Sequence, residues 1–369
     1  MRVSQFEPSI GQEEYQAIQQ CFDTKWITEG KLCKEFSDKL LDLIGCKYGV
    51  FANNGTLSLY MALRSLNIGP GDEVLVPNFT FIASANSVIM TGATPVFVDV
   101  EEETFHIDLE KAQRQISEKT KAIMPVHIYG TSANMKKIKE FSEKNGLKIV
   151  EDAAQAIGVN WQGDHCGSLG HVGSFSFFAD KTITTGEGGF VCTNDEKTYE
   201  KLLYIRNQGR INRGSFIHPE IGFNFRITDI QAAIGIAQFG KLPQIIDRKL
   251  EILEIYKNNL QDIEKIKIHQ PEKGSNHVPF RVAITDSNGR QGLMDHMEKN
   301  NIETRTFFYP LHLQPCFSKL DDSRGYLDGD MQTSVKLYKN GICLPSYPSM
   351  DNEKVEYVCK TIRDYYGLQ

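Results

Sequence analysis

Ser174-Phe175-Ser176-Phe177-Phe178-Ala179-Asp180-Lys181-Thr182-Ile183-Thr184-Thr185-Gly186-Glu187-Gly188-Gly189 decides how this chain is read. Aromatic residues alternating with small hydroxyls have the pattern of a buried strand. The run ends at one lysine, Lys181. Threonines and a glycine cluster follow, and they suit a tight turn before the next strand, Phe190-Val191-Cys192-Thr193. A lysine closing an apolar strand is partly desolvated. Desolvation disfavours the ammonium, and the neutral amine is a nucleophile that can form a Schiff base. The plainer alternative is a surface lysine in a hairpin loop, where most lysines lie.

The surroundings argue for the first reading. Upstream, Ile149-Val150-Glu151-Asp152-Ala153-Ala154-Gln155-Ala156 is a short apolar strand that delivers an aspartate at its end. A carboxylate placed there can pair with a pyridinium nitrogen and keep it protonated, which makes the ring an electron sink. A strand-end aspartate followed by a strand-end lysine is the pairing that a pyridoxal phosphate (PLP) site needs. A third element fits the same site. The apolar strand Tyr48–Ala52 runs through Asn53-Asn54-Gly55-Thr56 into a helix, Leu57–Leu66. Free backbone N–H groups and the positive helix end meet there and suit a phosphate. Ordinary capping by Asn54 or Thr56 is the alternative.

These blocks, in this order, resemble the DegT/DnrJ/StrS sugar aminotransferases of PLP fold type I, and in pattern the perosamine-synthase subgroup most. The resemblance runs from about Trp26 to the C-terminal helix. It implies that Lys181 holds the cofactor and carries protons, while Asp152 keeps the ring nitrogen protonated. Gln155 would bond the ring oxygen and Phe81 would stack on the ring. Gly55, Thr56, Ser176 and the Asn224 of a partner subunit would hold the phosphate. The cofactor would alternate between pyridoxal 5'-phosphate and pyridoxamine phosphate. L-Glutamate would donate an amino group to the keto group of a nucleotide-linked keto-deoxysugar, for a surface polysaccharide or related glycan. The assembly would be a homodimer with shared active sites. Substrate-side candidates are Trp26, His127, Arg226, Tyr309 and His312. Each has a structural alternative: packing for Trp26, a satisfied core histidine for His127, an interface salt bridge for Arg226, and a plain turn for Tyr309 and His312.

Composition agrees with a soluble enzyme. A net charge of −6 argues against nucleic acid or an anionic membrane as the main partner. The eight cysteines are scattered, with no C-x-x-C and no histidine cluster at metal spacing, so no metal is expected. With no signal peptide at the start, they read as reduced thiols in a cytoplasmic protein. The apolar runs are too short to span a bilayer.

Strands and helices alternate through the first half of the chain. Apolar runs at 73–77, 94–100, 122–128 and 147–150 are separated by helical patterns at 82–90, 108–116 and 135–145. This is the α/β pattern of a mostly parallel sheet covered on both faces, with ligands beyond the strand ends. The large PLP-binding α/β domain is expected over 1–240, with the N-terminal segment packing on the small domain. A smaller α+β domain is expected over 241–369, entered through a long helix at 242–260. The segment 209–222, with Arg210 and Arg213, reads as a polar loop.

Two departures from the subgroup bear on substrate. Ala179-Asp180 stands where Gly-Asn is usual before the lysine, and 269–277 carries no recognisable base-binding residues. A smaller phosphorylated ketone therefore stays open as the amino acceptor. The family also holds dehydratases with histidine in place of the lysine, which Lys181 argues against. A non-catalytic regulator of the same fold is disfavoured by the complete aspartate, lysine and phosphate set.

Overall fold

Apolar runs of four or five residues bounded by turn residues become the strands of the main sheet. The computed structural model describes residues 1–210, 216–318 and 330–368, and every element and contact named belongs to those residues. The middle of the loop expected over 209–222, including Arg213, lies outside them. The chain opens with α1 (Gln12–Asp23), α2 (Lys31–Ile44), β1 (Tyr48–Ala52), α3 (Gly55–Ser65), β2 (Glu73–Pro77), α4 (Ala83–Met90) and β3 (Thr94–Val98). Next come α5 (Leu109–Gln115), β4 (Thr120–Ile123), α6 (Met135–Asn145), β5 (Lys148–Asp152), β6 (Asn160–Trp161) and β7 (Asp164–His165). Then follow β8 (Val172–Ser176), β9 (Gly189–Thr193), α7 (Glu196–Arg206), α8 (Asp229–Gly240) and α9 (Leu242–Leu260). The last part holds β10 (Ile266–Ile268), β11 (Val282–Asp286), α10 (Arg290–Lys299), β12 (Arg305–Thr306), α11 (Gln332–Asn340), β13 (Gly341–Leu344) and α12 (Asn352–Tyr365).

The main sheet has the order β1-β9-β8-β5-β4-β2-β3. It is parallel from β8 to β3, and β9 runs antiparallel to both of its neighbours. Both faces are covered. Leu75, Ile123, Ile149 and Phe175 point into one core with residues of α2 and α6, while Val74, Val76, Ala122 and Val150 point into the other with residues of α3 and α4. Alternate residues of one strand thus feed opposite cores, as the two-residue period demands. The α/β expectation with a mostly parallel sheet is met.

A second sheet, β10-β11-β13-β12, is antiparallel throughout and packs with α9, α10 and α12. Val3 bridges Ile302 and lies in this second core. An aromatic seam joins the two sheets. Phe79, Phe105 and Tyr129 from the first half meet Phe280 and Phe307 from the second, with Phe79 and Phe307 centred 5.5 Å apart. Leu311, Phe317 and Met331 reach into the core of the main sheet, so the loop after β12 packs on that sheet.

Two local expectations are corrected. The aromatic strand stops at Ser176, so Lys181 lies in a folded-back loop and not at a strand end. Phe177 N–H donates to Gly188 O at 2.9 Å, and Phe177 O accepts from Thr185 N and Thr184 Oγ1 at 3.0 and 2.9 Å. These bonds replace the ladder beyond Ser176. The strand expected over 122–128 also ends early, at Ile123. The chain turns at Ile128–Gly130, where Tyr129 has φ 53° and Gly130 φ 85°. A Cβ on Gly130 would lie 1.8 Å from Val278 O, so only glycine fits the turn. The hairpin β6–β7 and strand β10 are too short to show a sequence period. No helix among the described residues is long and apolar enough to cross a membrane.

Candidate active site

Strand ends and a helix start converge on one cavity of about 420 Å³. Strand β5 delivers Asp152, with Gln155 just after it. Strand β8 delivers Ser176, and the loop that follows delivers Lys181. The turn into α3 adds Gly55 and Thr56, and Phe81 lies just ahead of α4. All seven line this cavity. The side of the second sheet closes it with Phe280, Arg281, Arg305 and Phe308, and Tyr129 completes the wall. A larger groove of about 990 Å³ runs between α2, β1 and α7, but neither Lys181 nor Asp152 lines it.

Lys181 and Asp152 are each pushed toward the neutral form. Burial lowers the Lys181 ammonium; the Asp180 carboxylate resists, Arg281 adds to the lowering and Asp152 resists. Lys181 Nζ lies 4.5 Å over the Phe280 ring. Burial raises the Asp152 carboxyl, and bonds from Ser84 Oγ at 2.7 Å and Ala154 N at 3.2 Å only partly offset it. A cationic ring placed against Asp152 would supply the missing counter-charge.

The phosphate end is a cradle built from backbone. Asn54 caps α3 by accepting from Leu57 N–H at 3.0 Å. The N–H groups of Gly55 and Thr56, in the first turn of α3, have no partner inside the helix. A Cβ on Gly55 would lie 2.7 Å from Ser176 Cβ and 3.0 Å from its Oγ, filling the space between them. Gln155 Oε1 is occupied by Tyr129 N–H at 2.8 Å, which leaves its Nε2 donor for a ligand. A buried carboxylate, a depressed amine, a free amide donor and a phosphate cradle in one cavity fit PLP.

Comparison with known proteins agrees. The sequence profile of the DegT/DnrJ/EryC1/StrS aminotransferase family matches residues 8–363. The chain belongs to this family. It is 38% identical over 365 residues to a GDP-perosamine synthase from Escherichia coli O157:H7, covering 98% of both chains. Among solved structures, its fold matches DesV of S. venezuelae in complex with a ketimine intermediate, with TM-score 0.90 and 30% identity over 96% of this chain and 94% of that one. It also matches the PLP-form of a putative sugar aminotransferase, Spr1654 of Streptococcus pneumoniae, with TM-score 0.93 and 25% identity over 100% and 99%. The chain is accordingly a PLP-dependent aminotransferase.

In an enzyme of this family, bound PLP supplies a carbon that takes up an amino group and a ring that stores the electron pair released at the donor carbon. The protein's part follows from the geometry. Lys181 would offer the attaching amine and would carry a proton as base and then acid. Asp152, fixed by Ser84, would keep a proton on the ring nitrogen. The N–H groups of Gly55 and Thr56 and the Ser176 hydroxyl would hold and orient the phosphate.

The other expected site residues lie elsewhere in this chain. His127 is fully buried in the main core and does not face the cavity. Its Nε2 bonds Glu151 at 2.9 Å and its Nδ1 lies 3.2 Å from Ala133 N. Burial opposes its charge, but Cys166 and Glu151 outweigh it and raise the imidazole to about 10. Trp26 lines the larger groove, with Nε1 donating to Glu29 O at 3.3 Å. Asn224 is exposed away from its own chain's cavity, and its Oδ1 accepts from Arg226 Nε at 2.8 Å. Tyr309 packs edge-on against Tyr338. His312 Nδ1 bonds the Asn78 amide at 2.8 Å, and its N–H donates to Asn78 Oδ1 at 2.9 Å, so the ring clamps the loop to the end of β2. Sequence reasoning missed Tyr129, Arg281, Arg305 and Phe308. An arginine after the apolar Val278-Pro279-Phe280 was the available signal for Arg281.

Proposed function

We propose that this enzyme moves an amino group from L-glutamate to the keto carbon of a nucleotide-linked keto-deoxysugar, supplying an amino sugar for a surface polysaccharide. The observation that carries the reading is Lys181 and Asp152 in one cavity with the phosphate cradle of α3. The sugar-nucleotide part is supported by relatives of 35–38% identity named GDP-perosamine synthase. The test is amination by PLP-loaded enzyme of GDP-linked and UDP-linked keto-deoxysugars and of a small phosphorylated ketone, read as 2-oxoglutarate formed and amino product by mass. Amination of the small phosphorylated ketone alone would overturn the nucleotide-sugar assignment.

The active unit is a homodimer with shared sites. Phe216, Ile217 and Ile221 are more than three-quarters exposed just before Asn224, an apolar patch of the kind that a partner covers. Asn224 has no role in its own chain's cavity and is free to reach a partner's phosphate cradle. Mixing Lys181→Ala with Asn224→Ala subunits should restore partial activity, because one site of the mixed dimer carries both defects and the other neither. No recovery after confirmed subunit exchange would refute it. The enzyme is assigned to the cytoplasm, since all eight cysteines are free thiols. We set the boundary between the two domains after residue 240, where α8 ends.

A further inference from the structure

The loop after β8 sets a carboxylate beside the amine of the candidate site. Asp180 directly precedes Lys181, and the two side chains are 10% and 16% exposed. The two oxygens of Asp180 have different surroundings. Oδ2 accepts from Arg281 Nη2 at 2.5 Å and lies 3.5 Å from Arg305 Nη1. Oδ1 is buried, has no hydrogen-bond partner among the described residues, and lies 4.0 Å from Lys181 Nζ. The arginines thus anchor one oxygen and leave the other for the amine. Arg281 is anchored in turn. Its Nη1 donates to Gln5 Oε1 at 2.6 Å, and Gln5 N donates to Glu303 Oε2 at 3.3 Å.

The other ionisable groups around Lys181 do not take this part. At the end of β5, Asp152 is engaged by Ser84 Oγ and Ala154 N and faces the place of the cofactor ring in the reading above. Arg281 and Arg305, from the second sheet, oppose a positive charge on Nζ. Lys249 of α9 is enclosed, with Nζ bonded to the carbonyls of Phe280 and Ser346. Burial raises the Tyr129 phenol and the Cys343 thiol, so both stay neutral. Glu187 lines the cavity from an exposed turn. Burial is the largest influence on the Lys181 ammonium and lowers it, and Asp180 is the first to oppose burial.

We propose that Asp180 is a positioning residue for the proton on Lys181: its Oδ1 balances the charge that Nζ acquires on taking a proton from the donor carbon, and Arg281 and Gln5 hold it in place. The proposal rests on reading Lys181 as the amine that carries first the cofactor and then the proton. The protons balance. Nζ takes one from the donor carbon and later gives one up, and Asp180 stabilises the charged form between the two transfers. An amine freed into a dry cavity beside two guanidiniums is a weak base. A fixed anion next to it restores part of its basicity. The anchor on Oδ2 keeps that anion from swinging away to solvent, so Oδ1 needs no rearrangement when the charge forms. An asparagine at the same position would keep the shape and lose the charge.

The test uses enzyme loaded with pyridoxamine phosphate, in which Lys181 is a free amine. Acetic anhydride acylates only the neutral amine. Acetylation of the peptide carrying residue 181, followed by mass across pH, therefore reports where Lys181 gives up its proton. Asp180→Asn should move the half-labelling pH down by about one unit or more, the usual effect of losing an opposite charge at this distance. Arg281→Gln should move it up, because a cation has left and the Asp180 charge is shared with fewer partners. A general loosening of the site would move both the same way. At a pH above both midpoints, Asp180→Asn should also lower the limiting rate of single turnovers with glutamate, since a weaker base removes the donor's proton more slowly. Asp180→Ser, with neither charge nor amide, serves if the asparagine variant does not fold. An unmoved midpoint in a folded enzyme lacking the Asp180 carboxylate would overturn the proposal, as would shifts of one sign in both variants. Borohydride reduction of the PLP-loaded wild type separates two failures. Cofactor fixed to a lysine other than Lys181 would sink the reading of Lys181 and the proposal with it. Cofactor fixed at Lys181 with an unmoved midpoint would sink the proposal alone.

Discussion

Lys181 and Asp152 are opposite charges that the fold makes costly to hold, and their chemistry comes from that cost. Arginine stays protonated and forms no imine. Lys181→Arg should therefore abolish transamination with the fold intact, and borohydride should fix no cofactor mass to the peptide carrying residue 181. Asp152→Asn keeps the bond to Ser84 and removes the anion. It should still bind PLP but turn over on the order of 100-fold or more slowly, since electrostatic losses at a reacting centre have that size. Single-turnover absorbance with glutamate measures it. Arg281 should show a different effect. Its ion pair with Asp180 is buried, with 8% and 10% of the two side chains exposed. Arg281→Ala removes the charge-assisted bonds to Asp180 and Gln5 while Arg305 and Lys181 stay beside the carboxylate, so it should cost about 1.5–3 kcal/mol of stability in denaturant unfolding.

At the scale of elements, the phosphate cradle depends on how closely α3 approaches β8. The packing is tight enough that Ser58 Oγ and Ser174 Oγ are 2.7 Å apart. A Cβ on Gly55 must displace Ser176, and overpacking of this kind costs about 1–3 kcal/mol. Gly55→Ala should therefore weaken PLP binding roughly tenfold or more by visible titration, since 1.4 kcal/mol is one factor of ten. Affinity within threefold of wild type would show that the cradle has slack. The loop holding His312 is placed by the same kind of contact, because its bonds to Asn78 tie it to the end of β2.

For the whole molecule, buried imidazoles set the acid limit. His106, His165 and His277 are lowered by burial to about 3, 4 and 4, against an ordinary value of 6.5. Their folded forms stay neutral while the unfolded chain takes up protons, so their stabilisation is present above pH 6.5 and is lost as pH falls toward 4. Each costs up to about 1.4 kcal/mol for every pH step of one within that window. His127, raised to about 10, favours folding below pH 6.5 and loses that contribution as pH rises to 10. Lys249, lowered to about 7, has the opposite slope between 7 and 10.5. The alkaline side should be shallow and the acid side steep. Thermal unfolding should show Tm falling markedly from pH 7 to pH 5 and changing less from pH 7 to pH 9. Equal losses on both sides would mean that the histidines are not buried as the structure has them.

Lys181, Asp152 and the Gly55-Thr56 turn were legible in the sequence because each stands in its own local signal: a glycine-rich turn, an apolar run ending in a carboxylate, a strand leading into a helix start. The α/β class was legible for the same reason, since strand and helix periods alternate within short windows. Tertiary structure alone decided which polar residues face the cavity. His127 had two readings in sequence, a core histidine and a substrate-side group, and it closes a core ion pair with Glu151 while Gln155 opens on the ligand space. The group around Asp180 draws Gln5, Arg281 and Arg305 from opposite ends of the chain, and no local pattern encodes that meeting. Periodicity tells a side chain which face of its own element it occupies. Only the packing of the second sheet against the first determines what stands opposite, and here it sets two guanidiniums and a lysine around one carboxylate.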